Sequence, residues 1–323
     1  MLAIRAYFAA LVAATAFAST AVHAETAYPS KPVRLIVPFP PGGSADLIAR
    51  AVAQQFYENT KQVMVIENRG GADTIIGMQA VKNAAPDGYT VGYVLGSALT
   101  MNPTLYSKLP YDPATDFVPV MVLANPGFAL AVHPSVPAKS ARELGALIKA
   151  KPQEYFYGHG NVVSKIAAVE FENAVGGKMT EVAYKGSAAS LQALLAGDVK
   201  VLISPIDTVA PYIDTNRLRV LAVTGAQRSA AFPDIPTIAE GGTAMIPYDI
   251  WHGIVLPAHT PPDIVRKLNQ ELAKAARHPN VRSRVEPLGV DMVAGSPEDM
   301  ARKVSDERTY WNKRIKEMGI QVD

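Results

Sequence analysis

Short apolar runs rich in β-branched residues alternate along this chain with longer segments whose apolar positions recur at helical spacing. The short runs predict strands at Val33–Val37, Val63–Ile66, Thr90–Leu95, Val118–Leu123, Ala129–Val132, Val199–Ile203, Leu218–Thr224 and Gly253–Leu256. The helical spacing predicts helices at Ala45–Tyr57, Ile76–Ala84, Ala141–Lys151, Ser164–Val175, Ala188–Ala196, Asp263–Arg277, Asn280–Leu288 and Pro297–Met318. Start and stop signals support several of these. Ser140 precedes Ala141, Pro297 opens its helix beside Glu298 and Asp299, and Gly197 and Gly319 stand where helices should end. Strands separated by helices predict an α/β fold whose mostly parallel sheet is covered on both faces. Two places read as crossings between domains. One is Val118 to His133, broken by Asn125, Pro126 and Gly127; the other is Met245 to Leu256, around Pro247. The expected organisation is a discontinuous first domain, residues 25–124 and 247–323, with residues 125–246 inserted as a second. A ligand would lie in the cleft outside the carboxyl ends of the strands.

The pattern breaks most abruptly between Arg34 and Asp46. Leu35, Ile36 and Val37 read as strand, and Pro38, Pro40 and Pro41 cannot continue a ladder because proline has no backbone N–H. Gly42 and Gly43 permit positive φ and leave amides uncovered. Ser44 is an N-cap candidate and Asp46 falls in the first turn of a helix carrying Leu47, Ile48, Ala51, Val52 and Phe56. Two readings are open. In one this is an ordinary β–α connection; in the other, bare N–H groups and the roughly half positive charge of a helix N-terminus make an anion cradle.

Composition narrows the setting. Residues 1–24 carry one charge, Arg5, then an apolar run ending in Val22, His23 and Ala24, the pattern of a secretory signal peptide too short for a good membrane span. The mature chain is expected in the periplasm, with about 300 residues, enough for two domains. The formal charge of +2 offers no basic field for nucleic acid. Zero cysteines exclude thiol catalysis, thiolate metal sites and disulfides. His133, His159, His252, His259 and His278 show no metal-type pairing, and no Gly-x-Ser-x-Gly elbow, Walker loop or Gly-x-Gly-x-x-Gly occurs. No metal, cofactor or catalytic residue is expected. Lys185-Gly186-Ser187 has no base placed by sequence and reads as a cap for the following helix. Tyr310 and Trp311 read as packing residues.

With these segments in order, the chain closely resembles the Bug family, periplasmic solute receptors of tripartite tricarboxylate transporters. The resemblance rests on Tyr28 to Ser44 (YPSKPVRLIVPFPPGGS), Val65 to Arg69, Ala85 to Thr90, Asn102-Pro103 and Leu109 to Asp112. It continues through His133 to Ser140, Tyr184 to Ser187, Leu218 to Thr224, Phe232 to Thr237 and Trp251-His252-Gly253. It implies a type II periplasmic-binding-protein fold, two α/β domains closing by a hinge on a small, usually carboxylated solute. It also implies a monomer that delivers this solute to membrane permease subunits rather than an enzyme. A membrane-linked ligand sensor is the alternative, since its ligand site would look the same.

The resemblance implies that Phe39, Pro40, Gly42, Gly43, Ser44, Ala45 and Asp46 hold one ligand carboxylate through backbone amides, with Asp46 capping its helix or positioning water rather than touching the anion. Ser97 and Ala98 join the expected ligand set at the end of the third strand. The opposite carboxylate is expected on Gly158, His159, Gly160, Asn161, Val162, Val163 and Ser164, with Ser204, Asp207 and Thr208 nearby. Three departures from the family pattern stand out. Lys165 stands where histidine is common, Ser204 replaces a frequent acid, and Arg69-Gly70-Gly71-Ala72-Asp73-Thr74 replaces a Pro/Gly-rich loop. Val162, Val163, Phe39 and Ile75 would supply apolar walls, which favours a dicarboxylate, including an aromatic one such as terephthalate.

Overall fold

The computed structural model describes residues 28–244 and 250–322, so the expected leader and Pro247 of the second crossing lie outside the described residues. In chain order the first layer contains β1 (Val33–Val37), α1 (Ser44–Thr60), β2 (Met64–Asn68), α2 (Ile75–Lys82) and β3 (Thr90–Leu95). Short helices α3 (Gly96–Thr100) and α4 (Asn102–Leu105) then lead to β4 (Phe117–Asn125). The second layer follows as β5 (Phe128–Val132), α5 (Ala141–Ala150), β6 (Phe156–His159), α6 (Val162–Val175), β7 (Thr180–Ala183) and α7 (Ser187–Ala196). It continues with β8 (Val201–Pro205), α8 (Ile206–Val209), a 3-10 turn at Ala210–Thr215 and β9 (Arg219–Val223). The chain returns with β10 (His252–Pro257), α9 (Pro262–Arg277), α10 (Pro279–Val285), β11 (Asp291–Met292) and α11 (Pro297–Met318).

Two sheets result: a six-stranded one in the order β11-β4-β10-β3-β1-β2 and a five-stranded one in the order β7-β6-β8-β5-β9. Both are mixed, which corrects the expectation of mostly parallel sheets. β1 pairs parallel with β2 and β3, but β10 runs antiparallel to β3 and β4. β5 likewise runs antiparallel to β8 and β9 while β6 is parallel to β7 and β8. The cause is the crossing itself. β4 leads out of the first sheet into β5, and β9 leads back toward β10, so outgoing and returning strands lie side by side in opposite directions.

Period-two alternation divides each sheet between two cores. Leu35 and Val37 face a cluster with Ile48, Val52 and Phe56 of α1 and Leu268 and Leu272 of α9, whereas Ile36 faces Met78, Leu99 and Trp251. In the second sheet Leu130 and Val132 face Ile166 and Phe171 of α6, whereas Ala129 and Ala131 face Leu191 and Leu194 of α7.

Helix α11 joins the layers. It starts with a capping box in which Ser296 accepts from the Asp299 N–H and Asp299 accepts from the Ser296 N–H. Near its start Met300 packs into the first domain's core, and near its end Trp311 and Ile315 pack into the second's. There Arg314 grips Glu170 of α6 through two hydrogen bonds of 2.7 Å, and this carboxylate raises the guanidinium pKa further. Glu170 is buried, so removing the arginine strands a charge away from water. Arg314→Met should therefore lower stability by about 3 kcal/mol. Adding Glu170→Gln should recover much of that loss in denaturant titrations. A double variant no more stable than Arg314→Met would show that the pair is not a buried charge couple.

Candidate functional site

The loop between β1 and α1 forms one wall of the interdomain cleft. Gly42 takes φ +87°, the left-handed conformation that glycine adopts at no steric cost. Gly43 is the N-cap at φ −92° and ψ 177°, with no side-chain cap, so Ser44 is the first helical residue and not the cap. Asp46 is turned away from the cleft. It accepts hydrogen bonds from the Gly42 N–H (3.1 Å), Arg50 Nε (2.9 Å) and Asn68 Nδ2 (3.0 Å), and Asn68 also donates to the Phe39 carbonyl at 3.0 Å. Burial raises the Asp46 pKa, but these bonds outweigh it and hold the carboxyl below its ordinary value. Asp46 thus ties the loop into shape and leaves the first free N–H groups of α1 to the cleft.

The opposite wall is the start of α7. Its N-cap is Gly186 at φ +94°, again without a side-chain cap, within the Lys185-Gly186-Ser187 run that the sequence analysis reads as a cap. The walls approach closely: a Cβ on Gly43 would stand 3.3 Å from Ser187 Oγ, and one on Gly186 would stand 3.6 Å from Pro40 Cδ. Between them lies a narrow cavity lined by Phe39, Pro40, Pro41, Gly43, Ser44, Ala45, Leu95, Asn161, Lys185, Gly186, Ser187, Ala188, Pro205, Ile250 and His252. Two uncapped helix N-termini, on different domains, therefore open onto one space. Of the expected residues, Phe39, Pro40, Gly43, Ser44, Ala45 and Asn161 line it; Lys185 to Ala188 were not expected there.

 The sequence signal that could have found them is the glycine at 186, read only as a cap.

The segment from Gly158 to Ser164 supports that wall from behind. A Cβ on Gly160 would fall 2.2 Å from the Gly186 carbonyl carbon, so the two loops pack backbone to backbone. Gly158 sits within β6, facing Val199 and Tyr184. His159 is buried with Nε2 2.8 Å from Glu181, which also pairs with Lys165 at 2.9 Å. Asn161 caps α6 by accepting from the Ser164 N–H at 2.9 Å. Val162 and Val163, expected as cleft walls, are buried in the second domain's core, because they are the first helical residues and their side chains turn inward. Ile75 and Ala98 are likewise core residues, and Ser97 faces a separate crevice beside Trp251. The Val162 N–H is already engaged: it donates to Asp73 Oδ1 of the first domain at 3.2 Å, while Tyr106 donates to Asp73 Oδ2 at 2.9 Å. A carboxylate of the chain itself thus occupies the helix end that the sequence reading gave to the ligand.

A second cavity adjoins the first and shares Gly43, Ser44 and Ala188 with it. Gly42, Asp207 and Thr208 also line it. Ser44 Oγ, Ser204 Oγ, Asp207 Oδ1 and Thr208 Oγ1 are buried and find no hydrogen-bond partner in the protein. Burial pushes the Asp207 carboxyl up to about 6; the Ser44 hydroxyl, close by but outside hydrogen-bond geometry, offsets this only in part. Nearby, the Tyr93 hydroxyl meets His252 Nδ1 at 2.6 Å, and burial pushes His252 down to about 3, so its ring is neutral.

Two α/β domains facing each other across a cleft are the architecture of a periplasmic binding protein. The chain belongs to the tripartite tricarboxylate transporter receptor family, whose model matches residues 48–320. It is similar to protein BugT of Bordetella pertussis, 32% identical over 312 residues that cover 96% of this chain and 95% of that protein. Among solved structures it is similar to Rpa4515 of R. palustris with adipate, at TM-score 0.87 and 34% identity, covering 91% of this chain and 99% of that one. It is also similar to MatC from Rhodopseudomonas palustris with bound malate, at TM-score 0.83 and 27% identity, covering 88% and 99%. The family is one of periplasmic receptors, and no helix among the described residues is long and apolar enough to cross a membrane.

Asp207 carries a consequence for stability. Its carboxyl binds a proton more tightly in the folded chain than in the unfolded one, whose carboxyl titrates near 3.9. Folding is therefore undisturbed below about pH 4, loses stability as pH rises toward 6, and stays lower by about 3 kcal/mol above that. Without ligand, Asp207→Asn should melt higher than the parent at pH 7.5, with the gain gone at pH 4. An equal difference at both pH values would mean that Asp207 is not a strained buried acid.

Proposed function

We propose that this chain, exported by its leader, is a monomeric periplasmic receptor that captures a small carboxylated solute and delivers it to the permease subunits of a tripartite tricarboxylate transporter. The observation that carries the reading is the pair of uncapped helix N-termini, at Gly43 and Gly186, opening onto one interdomain cavity. Each end offers free N–H groups and roughly half a positive charge, which suits a carboxylate. A ligand held by both domains favours the closed arrangement by its differential affinity, so capture and hinge closure are one event.

The finer reading is a dicarboxylate. One carboxylate rests between the helix ends, and Lys185 at the rim is the cation available to a second. Phe39, Pro40, Pro41, Leu95, Pro205 and Ile250 supply apolar lining for an aliphatic or aromatic middle, taking the part first assigned to Val162 and Val163. Burying that middle contributes about 25 cal/mol per Å². The relatives solved with adipate and with malate support a carboxylate of this size.

Calorimetry with adipate, succinate and their monoacid counterparts tests the reading, and uptake measured separately from gene induction in a deletion strain distinguishes transport from sensing. Gly43→Val should weaken binding at least about 100-fold by forcing the facing loops apart, since only 3.3 Å separates a Cβ there from Ser187. Ser44→Ala should cost only about 1 kcal/mol, because backbone amides supply most of the contact. Unchanged affinity in Gly43→Val would place the anion elsewhere, and tight binding of a neutral sugar would overturn the carboxylate assignment.

A further inference from the structure

The cavity beside the helix ends contains an acid where an anion receptor would be expected to avoid one. Asp207 is only 6% exposed, and its Oδ1 has no partner in the protein. Lining the same cavity, Thr208 Oγ1 beside Asp207 and Ser44 Oγ from the facing domain are also buried and unpartnered. Leaving such groups dry and unpaired is costly, and the cost is greatest for the carboxylate. None of the groups facing Asp207 repays it with a positive charge. Ser44 is neutral, Tyr93 is pushed above its ordinary pKa by burial and then by Asp207 itself, and Tyr93 leans on a neutral His252. Lys185 lines the neighbouring cavity and not this one.

We propose that Asp207, with the hydroxyls of Ser44 and Thr208, is an acceptor subsite for a positively charged amino group, so that the preferred ligands are amino-bearing carboxylates. The proposal rests on the carboxylate-receptor reading above and extends it. Ser44 lines both cavities, so a ligand with its carboxylate between the helix ends reaches the acid with a substituent a few bonds away. An ammonium group would pair the orphaned carboxylate oxygen and donate its remaining hydrogens to the hydroxyls, in charge-assisted bonds roughly twice as strong as neutral ones. An unsubstituted diacid leaves the same oxygens bare, and a second carboxylate at this position would be repelled. The raised Asp207 pKa agrees, because burial disfavours the charged carboxylate.

Matched pairs of probes test this in one calorimetric series at pH 7.5: succinate against L-aspartate, and adipate against L-2-aminoadipate, with L-malate as the neutral-donor control. The parent should bind the amino member of at least one pair tenfold or more tighter than its unsubstituted partner, with malate no tighter than succinate by more than a few fold. Asp207→Asn should abolish the amine preference and tighten succinate and adipate, because a negative charge leaves the site. An absent preference in the parent overturns the subsite while leaving the carboxylate reading intact, a result that needs no variant to fold. Malate matching aspartate overturns the requirement for charge, and an amine preference that survives Asp207→Asn overturns the assignment to this residue. Failure of every acid to bind overturns the carboxylate reading and the subsite together.

Discussion

Everything at the cleft depends on the chain crossing twice between its domains along one edge. β4 carries it out to β5 and β9 sends it back to β10, and each outgoing strand lies beside its returning neighbour, antiparallel and hydrogen-bonded. That pairing fixes which ends of the two sheets meet. The loop after β1 and the loop before α7 are thereby aimed at each other, and their glycines let the backbones come within side-chain distance. The binding reading needs no loop from elsewhere.

Two helix N-termini facing one another across a narrow gap repel, since each behaves as roughly half a positive charge. An anion between them removes that repulsion and replaces it with donors on both sides, so the bound state gains most when the cleft is closed. The protein offsets part of the problem with its own carboxylates, placed outside the ligand cavity. Asp73 reaches across to the Val162 N–H at the start of α6, and Glu170 on that same helix is gripped by Arg314 of α11. Both contacts join elements of opposite domains without entering the space between Gly43 and Gly186. They let the two domains associate while the space between Gly43 and Gly186 stays open.

The strands and helices with strong periodicity were legible in the sequence. β1, β3 and α11 fall where the pattern put them, because their burial is nearly complete or their caps are strong. β6 and β7 were missed: each has four residues, and β7, at the sheet's edge, alternates half-buried and exposed positions too briefly to register. The first wall of the site was legible because proline and glycine leave few conformations open between Val37 and Ser44. The second wall was displaced by one layer. Gly158 to Ser164 looked like a ligand loop but packs behind Gly186, a relation set by backbone contact between residues 26 apart that no local pattern encodes. Val162 and Val163 misled for a related reason, since an apolar pair at a helix start reads the same whether it faces a cleft or a core.

The change at position 204 also reads differently in three dimensions. As sequence, Ser204 in place of an acid suggests a site that has lost negative charge and grown less polar. In the fold, Ser204 is buried in β8 opposite Ala129, and the next acid, Asp207, stands three residues on at the start of α8, against the adjoining cavity. Negative charge is still present on this side of the cleft, on the helix that follows the strand. A carboxylate on a wall shared with an anion site is costly unless something positive arrives with the ligand. In the proposed subsite, the buried acid that disfavours the empty protein as pH rises is also the group that would tell an amino acid from a plain diacid, because it stays unpaired until a cationic solute fills the site.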